Sequence, residues 1–302
     1  MEKIYKCERP YKNMDKIILE CPNFEWIPES ELPSNWEELL KNNFSKIAPF
    51  YYKSIFSNEV SKKAHSEVNN KIKGIIKTTN PTSILDVGVG DGSRLIEVAP
   101  KRTNLYGIEI SEEMVNVSKG KGIDTKLSDF KKRLPFPTNS IDLILFLSND
   151  FGYVMNKNPS NSVLTRISVL NEVYRILKPN GRLYMELMSQ DTGDYNSDGL
   201  VCKYKRILKI NDKEIFKGDF YLKDFKFYEL SMLFDLSLFK GSKIEIEYML
   251  SKDFENPNDL NDVGKIIKSF SCFQGYSIND FQPNLIDYKN RYDYFILLNI
   301  TK

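Results

Sequence analysis

The chain has 302 residues, 41% hydrophobic and 28% charged, with 43 basic and 41 acidic side chains for a formal net charge of +2. That composition belongs to a globular chain rather than a disordered one, long enough for one elaborated α/β domain or two small ones. Near-neutral charge argues against a nucleic-acid partner; the cysteines Cys7, Cys21, Cys202 and Cys272 form no CxxC pair, and the single histidine, His65, excludes Ser-His-Asp hydrolysis and His-rich metal sites.

The first residues are charged and lack an apolar core, so no signal peptide is expected, and no apolar run approaches the ~20 residues of a membrane helix. A cytoplasmic protein with reduced thiols follows from this. Residues 1–35 carry Pro10, Pro22, Pro28 and Pro33 and predict an irregular extension packed on the main domain. Helical spacing then begins. Trp36, Leu39, Leu40, Phe44 and Ile47 form one stripe; Val68, Ile72, Ile75 and Ile76 form a second. His65 falls in a polar stretch of that second helix and reads as solvated.

From Ser83 the pattern becomes strand, loop, helix, repeated. Strands are expected at Ile84–Val87, Leu105–Ile110, Asp124–Leu127, Ile141–Leu147 and Arg182–Met188. Helices are expected through Leu95–Val98, after Ser111, and through Val163, Ile167, Leu170, Tyr174 and Leu177. This alternation predicts a parallel sheet covered on both faces. Residues 200–250 instead show period-2 alternation, in Cys202–Ile210, Phe234–Leu238 and Ile244–Tyr248, and predict antiparallel strands. A helix through Val263, Ile266, Ile267 and Phe270 and a strand from Tyr292 to Ile300 close the chain. The expected division is a 1–60 extension with a cap helix, a main domain of 61–192 and 258–302, and an inserted β subdomain at 193–257.

The most informative stretch is Asp86-Val87-Gly88-Val89-Gly90-Asp91-Gly92-Ser93. It follows a strand and opens a helix, so glycines allow a tight turn and a close ligand, and the helix presents free N–H groups. A dinucleotide fingerprint would want Gly or Ala where Ser93 stands. An acid followed by GxGxG is complete, as Asp86, Gly88, Gly90 and Gly92. The next strand ends at Glu109, where an acid can accept both hydroxyls of a ribose, with Ile110 after it.

Together with Leu134-Pro135-Phe136-Pro137 before the fourth strand and Leu177-Lys178-Pro179-Asn180-Gly181 before the fifth, these motifs resemble class I S-adenosylmethionine-dependent methyltransferases over residues 83–188. The resemblance implies an α/β, Rossmann-like seven-stranded mostly parallel sheet with helices on both faces, an antiparallel β insertion after strand five and an N-terminal helical cap. It implies S-adenosyl-L-methionine as cofactor, S-adenosyl-L-homocysteine as product and no metal. Asp86, Gly88, Gly90, Gly92, Glu109, Ile110, Asp129, Phe130, Ser148 and Tyr51 would bind the cofactor, with Asp129 on the adenine amino group and Phe130 against the ring. The loop Leu147-Ser148-Asn149-Asp150-Phe151-Gly152-Tyr153 is similar to that of small-molecule N-methyltransferases such as glycine N-methyltransferase and aminosugar N,N-dimethyltransferases. Asp150 and Tyr153 are then the expected catalytic pair, acting on an amine of a small-molecule acceptor. The β insertion or the N-terminal extension would wall the substrate pocket or pair two copies of the chain. Two alternatives remain open: an RNA or protein acceptor, and a cofactor-binding protein without activity.

Overall fold

The computed structural model describes residues 17–20, 24–55, 59–188, 200–251, 273–281 and 294–302. The chain enters through two short strands, β1 (Ile17–Glu20) and β2 (Phe24–Pro28). Three helices follow: α1 (Trp36–Ile47), α2 (Tyr51–Ile55) and α3 (Glu59–Thr79). The α/β core then runs β3 (Ser83–Val87), α4 (Ser93–Val98), β4 (Asn104–Glu109), α5 (Glu112–Gly120), β5 (Asp124–Leu127), β6 (Ile141–Phe146), α6 (Pro159–Ile176) and β7 (Leu177–Met188). After it come β8 (Leu200–Ile210), β9 (Lys213–Leu222), α7 (Phe227–Leu236), β10 (Lys243–Ser251), β11 (Phe273–Phe281) and β12 (Tyr294–Thr301).

The main sheet has the order β11-β10-β12-β7-β6-β3-β4-β5. From β7 to β5 every pairing is parallel, while β12 runs antiparallel to both β7 and β10. It is the mostly parallel α/β sheet that the alternation predicted, with eight strands where seven were expected. The extra strand is β11, parallel to β10 at the edge. The helix expected at Val263–Phe270 lies outside the described residues. Strands β3 and β6 are apolar nearly throughout because helices cover both faces: Ile84, Leu85, Leu143, Ile144, Leu145 and Phe146 are buried. Successive connections leave β3 on opposite sides, toward β4 and toward β6. The crevice beyond the carboxyl ends of these strands is where ligands of such sheets bind.

Above that crevice lies a second, antiparallel sheet. β8 and β9 form a hairpin whose two turn residues, Asn211 and Asp212, both have positive φ, as a tight two-residue hairpin requires. On the other edge of β8, β1 pairs with Ile207–Ile210 and β2 with Leu200–Tyr204, end to end along one long strand. The extension expected to be irregular thus contributes strands. Its IILE and FEWIP runs are β-prone, and Pro28 sits at the end of an edge strand, where a missing N–H is tolerated. This roof rests on α1, where Asn43 Nδ2 donates to the Asp219 carbonyl at 2.7 Å.

Two other expectations are corrected. Phe234, Leu236 and Leu238 are not a strand. Residues 227–236 are helical and bury Leu230, Leu233 and Phe234 at helical spacing, whereas Leu236 and Leu238 are exposed. A three-point alternation across a helix end cannot be told from a strand without its partner. β10, expected among the inserted strands, instead joins the main sheet between β11 and β12.

The segment after β2 is locked by a buried ion pair. Arg166 on α6 donates to Glu29 at 2.8 Å, and the Ser162 hydroxyl bonds the other Glu29 oxygen. Replacing Arg166 with alanine would leave the carboxylate buried without its charge partner and should cost about 3–5 kcal/mol. A urea titration showing less than about 1 kcal/mol would mean that the pair contributes no more than a surface one.

Candidate functional site

The glycine loop follows β3 directly. Gly88 and Val89 both donate N–H to the Ile108 carbonyl, at 2.8 and 3.1 Å, which folds the chain back over β4. Gly88 has φ +85°, and a β-carbon there would lie 2.6 Å from the Asp150 carboxyl. Only glycine permits both the conformation and the approach. Gly92, at φ +74°, caps α4.

Glu109 closes the loop from the next strand end. Its carboxylate accepts N–H bonds from Gly90 (3.0 Å), Ile110 (2.8 Å) and Ser111 (2.8 Å). Burial pushes its pKa up against the lowering effect of those three donors. The Ser111 hydroxyl then caps α5 through Met114 N–H and meets Ser45 of α1 at 2.9 Å.

Beyond β6 the chain reverses through two consecutive left-handed residues, Ser148 (φ 55°) and Asn149 (φ 62°). Such a pair is costly for non-glycine residues and needs support from its surroundings. Here Ser148 N–H donates to Glu186 Oε2 (3.0 Å), Asn149 N–H donates to the Glu186 carbonyl (3.0 Å), and Asn149 Nδ2 donates to the Lys223 carbonyl (3.0 Å). The reversal delivers Asp150 against Gly88 and carries Phe151 and Tyr153 into the short turn that follows.

These elements enclose a narrow, mainly apolar cleft at the carboxyl ends of the strands, where ligands of such sheets bind. Of the residues singled out in the sequence, Tyr51, Gly88, Gly90, Glu109, Ile110, Asp129, Phe130, Asp150 and Tyr153 line it. A smaller cavity adjoins it, sharing Tyr51, Gly88 and Asp150 and adding Asp86, Arg94 and Ser148. Gly92 lines neither; its part is to turn the chain into α4.

Sequence spacing did not assign a third wall. Trp36, Leu40 and Phe44 of α1 line the cleft, although their stripe has the periodicity of a core helix. Lys131 fastens that helix down, pairing with Glu37 at 2.5 Å and lying 5.4 Å over the Trp36 ring. Phe44 meets Tyr51, Tyr153 and, from β9, Phe220 edge to face at 5.4–5.8 Å. The roof above the catalytic candidates is therefore aromatic.

Electrostatically the site is a concentration of buried acids. Burial, with Glu109 and Glu186 nearby, raises Asp86 to about 7 against the opposing pull of Arg94. Burial, then Asp86 and Glu109, push Asp150 well above the usual carboxylate range. Burial also drives the Tyr51 and Tyr153 hydroxyls upward, keeping both as neutral donors. His65, expected to be solvated, is buried instead, and burial and the nearby Arg94 lower it to about 4, so it is neutral at pH 7. No cluster among the described residues suits a metal ion. A cation placed beside these carboxyls would lower their pKa values again and favour their charged forms.

Comparison with known proteins agrees with this geometry. A methyltransferase domain model matches residues 85–185. The demethylmenaquinone methyltransferase of Listeria monocytogenes serotype 4a is 27% identical over 204 residues, covering 64% of this chain and 77% of that protein. The ubiquinone/menaquinone biosynthesis C-methyltransferase UbiE of Rickettsia typhi is 30% identical over 150 residues, covering 48% and 58%. The structure of the CcbJ methyltransferase from Streptomyces caelestis superposes with a TM-score of 0.56 at 13% identity, over 86% of this chain and 98% of that one, so the two share a fold. An acid-GxGxG loop on the first core strand, an acid closing it from the second and this domain match together make the chain a class I S-adenosylmethionine-dependent methyltransferase.

Proposed function

We propose that the chain methylates a small molecule, at an amine nitrogen, beneath the aromatic roof. The observation that carries this reading is the position of Asp150. It is a half-buried carboxyl at the junction of the two cavities, faced by Tyr51 and Tyr153. In this reading Glu109 takes the ribose hydroxyls, Asp129 the adenine amino group and Phe130 the ring face, while Asp86 takes the ammonium of the amino-acid end. S-adenosylmethionine supplies an electrophilic methyl group on a positively charged sulfur. The sulfonium charge draws Asp150 toward its ionised form, ready to hold the amine and accept its proton. Tyr153 orients the acceptor, and Phe44 and Tyr51 exclude water, so catalysis rests on alignment and desolvation.

A second reading has a carbon of a quinol ring as the methylated atom. The names of the curated relatives favour it, and an aromatic roof suits a planar ring. Asp150 would then take the ring hydroxyl proton.

Calorimetry tests the cofactor assignment first. S-adenosylmethionine and S-adenosylhomocysteine should bind at micromolar concentration and NAD should not. Because Asp86 titrates near 7 in the free protein, and only its ionised form holds an ammonium, affinity should fall about tenfold per pH unit below that value, with Asp150 adding to the slope. A flat profile between pH 5.5 and 7.5 would remove Asp86 from the ammonium site. Labelled methyl transfer to a panel of amines and quinols then separates the two acceptors.

A further inference from the structure

Arg94 opens the helix behind the glycine loop and lines the smaller cavity, yet it is only 8% exposed. Three of its five N–H groups are accounted for. Nε donates to Asn69 Oδ1 of α3 at 2.8 Å, and Nη1 donates to Ser148 Oγ at 3.1 Å and to Glu186 Oε2 at 2.5 Å. Nη2 is sealed from solvent and donates to nothing. In the same cavity Asp86 Oδ1, on a side chain 3% exposed, accepts nothing either. Leaving a buried donor or acceptor unmade costs on the order of 1–3 kcal/mol, and here the two residues that carry one of each line the same small cavity. An amino-acid group, with its ammonium and carboxylate together, fills both needs and matches both charges.

We infer that Arg94 binds the carboxylate of the cofactor's amino-acid end through Nη2, and that Glu186 and Asn69 are positioning residues that hold its guanidinium plane. This rests on the methyltransferase reading and extends it to residues outside the motif. Glu186 is fully buried on β7 and bonds both Arg94 and Ser148 N–H. One carboxylate therefore sets the cofactor's anchor and also the left-handed reversal that carries Asp150. Its other oxygen lies 3.9 Å from His65 Nδ1 of α3, beyond hydrogen-bond reach.

The test compares two ligands that differ only in the part concerned. S-adenosylhomocysteine has the amino-acid end, and 5′-methylthioadenosine lacks it. Calorimetric affinities for both are measured with the unaltered protein, Arg94→Lys, Glu186→Gln and Asn69→Ala. Lysine keeps the charge but not the planar fork, so Arg94→Lys should cut the preference for S-adenosylhomocysteine by about tenfold. Glu186→Gln and Asn69→Ala should cut it by about three- to tenfold, with 5′-methylthioadenosine affinity unchanged. Asn69→Ala removes hydrogen bonds to Arg94 and to Glu97 but no charge, so it carries the test if either charged-site variant fails to fold. An unchanged preference in folded variants, or equal loss of both ligands, overturns the role of Arg94 alone. No binding of S-adenosylhomocysteine by the unaltered protein overturns the cofactor reading and this inference with it.

Discussion

Asp150→Asn should lower the rate of methyl transfer by about 100-fold or more, the usual scale for losing a positioned proton acceptor, while S-adenosylhomocysteine affinity stays within about threefold. The asparagine is nearly isosteric, so it keeps the packing against Gly88. It differs in that it cannot take a proton, and it places an N–H where the acceptor would donate. Single-turnover rates with saturating cofactor separate this from a binding defect. The pH profile should change as well. The unaltered enzyme loses activity on acidification as Asp150, held high by burial and by Asp86 and Glu109, takes up a proton, and Asp150→Asn should lack that limb. A variant as fast as the parent would move the proton acceptor elsewhere and favour an acceptor that arrives already deprotonated.

Gly88→Ala should weaken cofactor binding by about 100-fold. The new methyl would stand 2.6 Å from the Asp150 carboxyl in a backbone at φ +85°. A left-handed alanine costs about 1–2 kcal/mol and overpacking about 1–3 kcal/mol, and both fall on the wall shared by the two cavities. Circular dichroism should report a folded protein, because β3 and its neighbours keep their pairing. Retained affinity would mean that Asp150 can swing away freely, in which case the left-handed pair at Ser148–Asn149 does not hold it.

The α/β core and its glycine loop could be read in the sequence because local signals and topology agreed. Ser83–Val87, the acid-GxGxG run and Glu109 sit close in the chain, and one strand-loop-helix unit explains them. Nine of the residues expected to bind or act line the cleft, and Asp86 and Ser148 line its neighbour. What escaped depended on partners far away in the chain. Trp36, Leu40 and Phe44 have a core periodicity that is true of their packing but silent about the cleft that the same face borders. His65 reads as polar because its neighbours in sequence are; Arg94 and Glu186, which surround it, are not neighbours in sequence. Phe234–Leu238 misled because a short alternation carries no information about its partner. β1 and β2 lacked a visible partner for the same reason, since β8 lies some 180 residues on, as the Glu25–Lys203 contact shows with a separation of 178.

That separation bears on how the protein is made. At a synthesis rate of about 5–20 residues per second, strands β1 and β2 leave the ribosome roughly ten to forty seconds before β8 exists to pair with them. The glycine loop, Glu109 and the β3–β6 crevice can assemble in that interval, because everything they need has already emerged. Helix α1, whose Asn43 is held by β9, has no roof above it until the hairpin arrives. A nascent chain stalled before residue 200 therefore exposes an apolar helix face and two unpaired strand edges, which makes this the stage at which the chain most needs protection from aggregation.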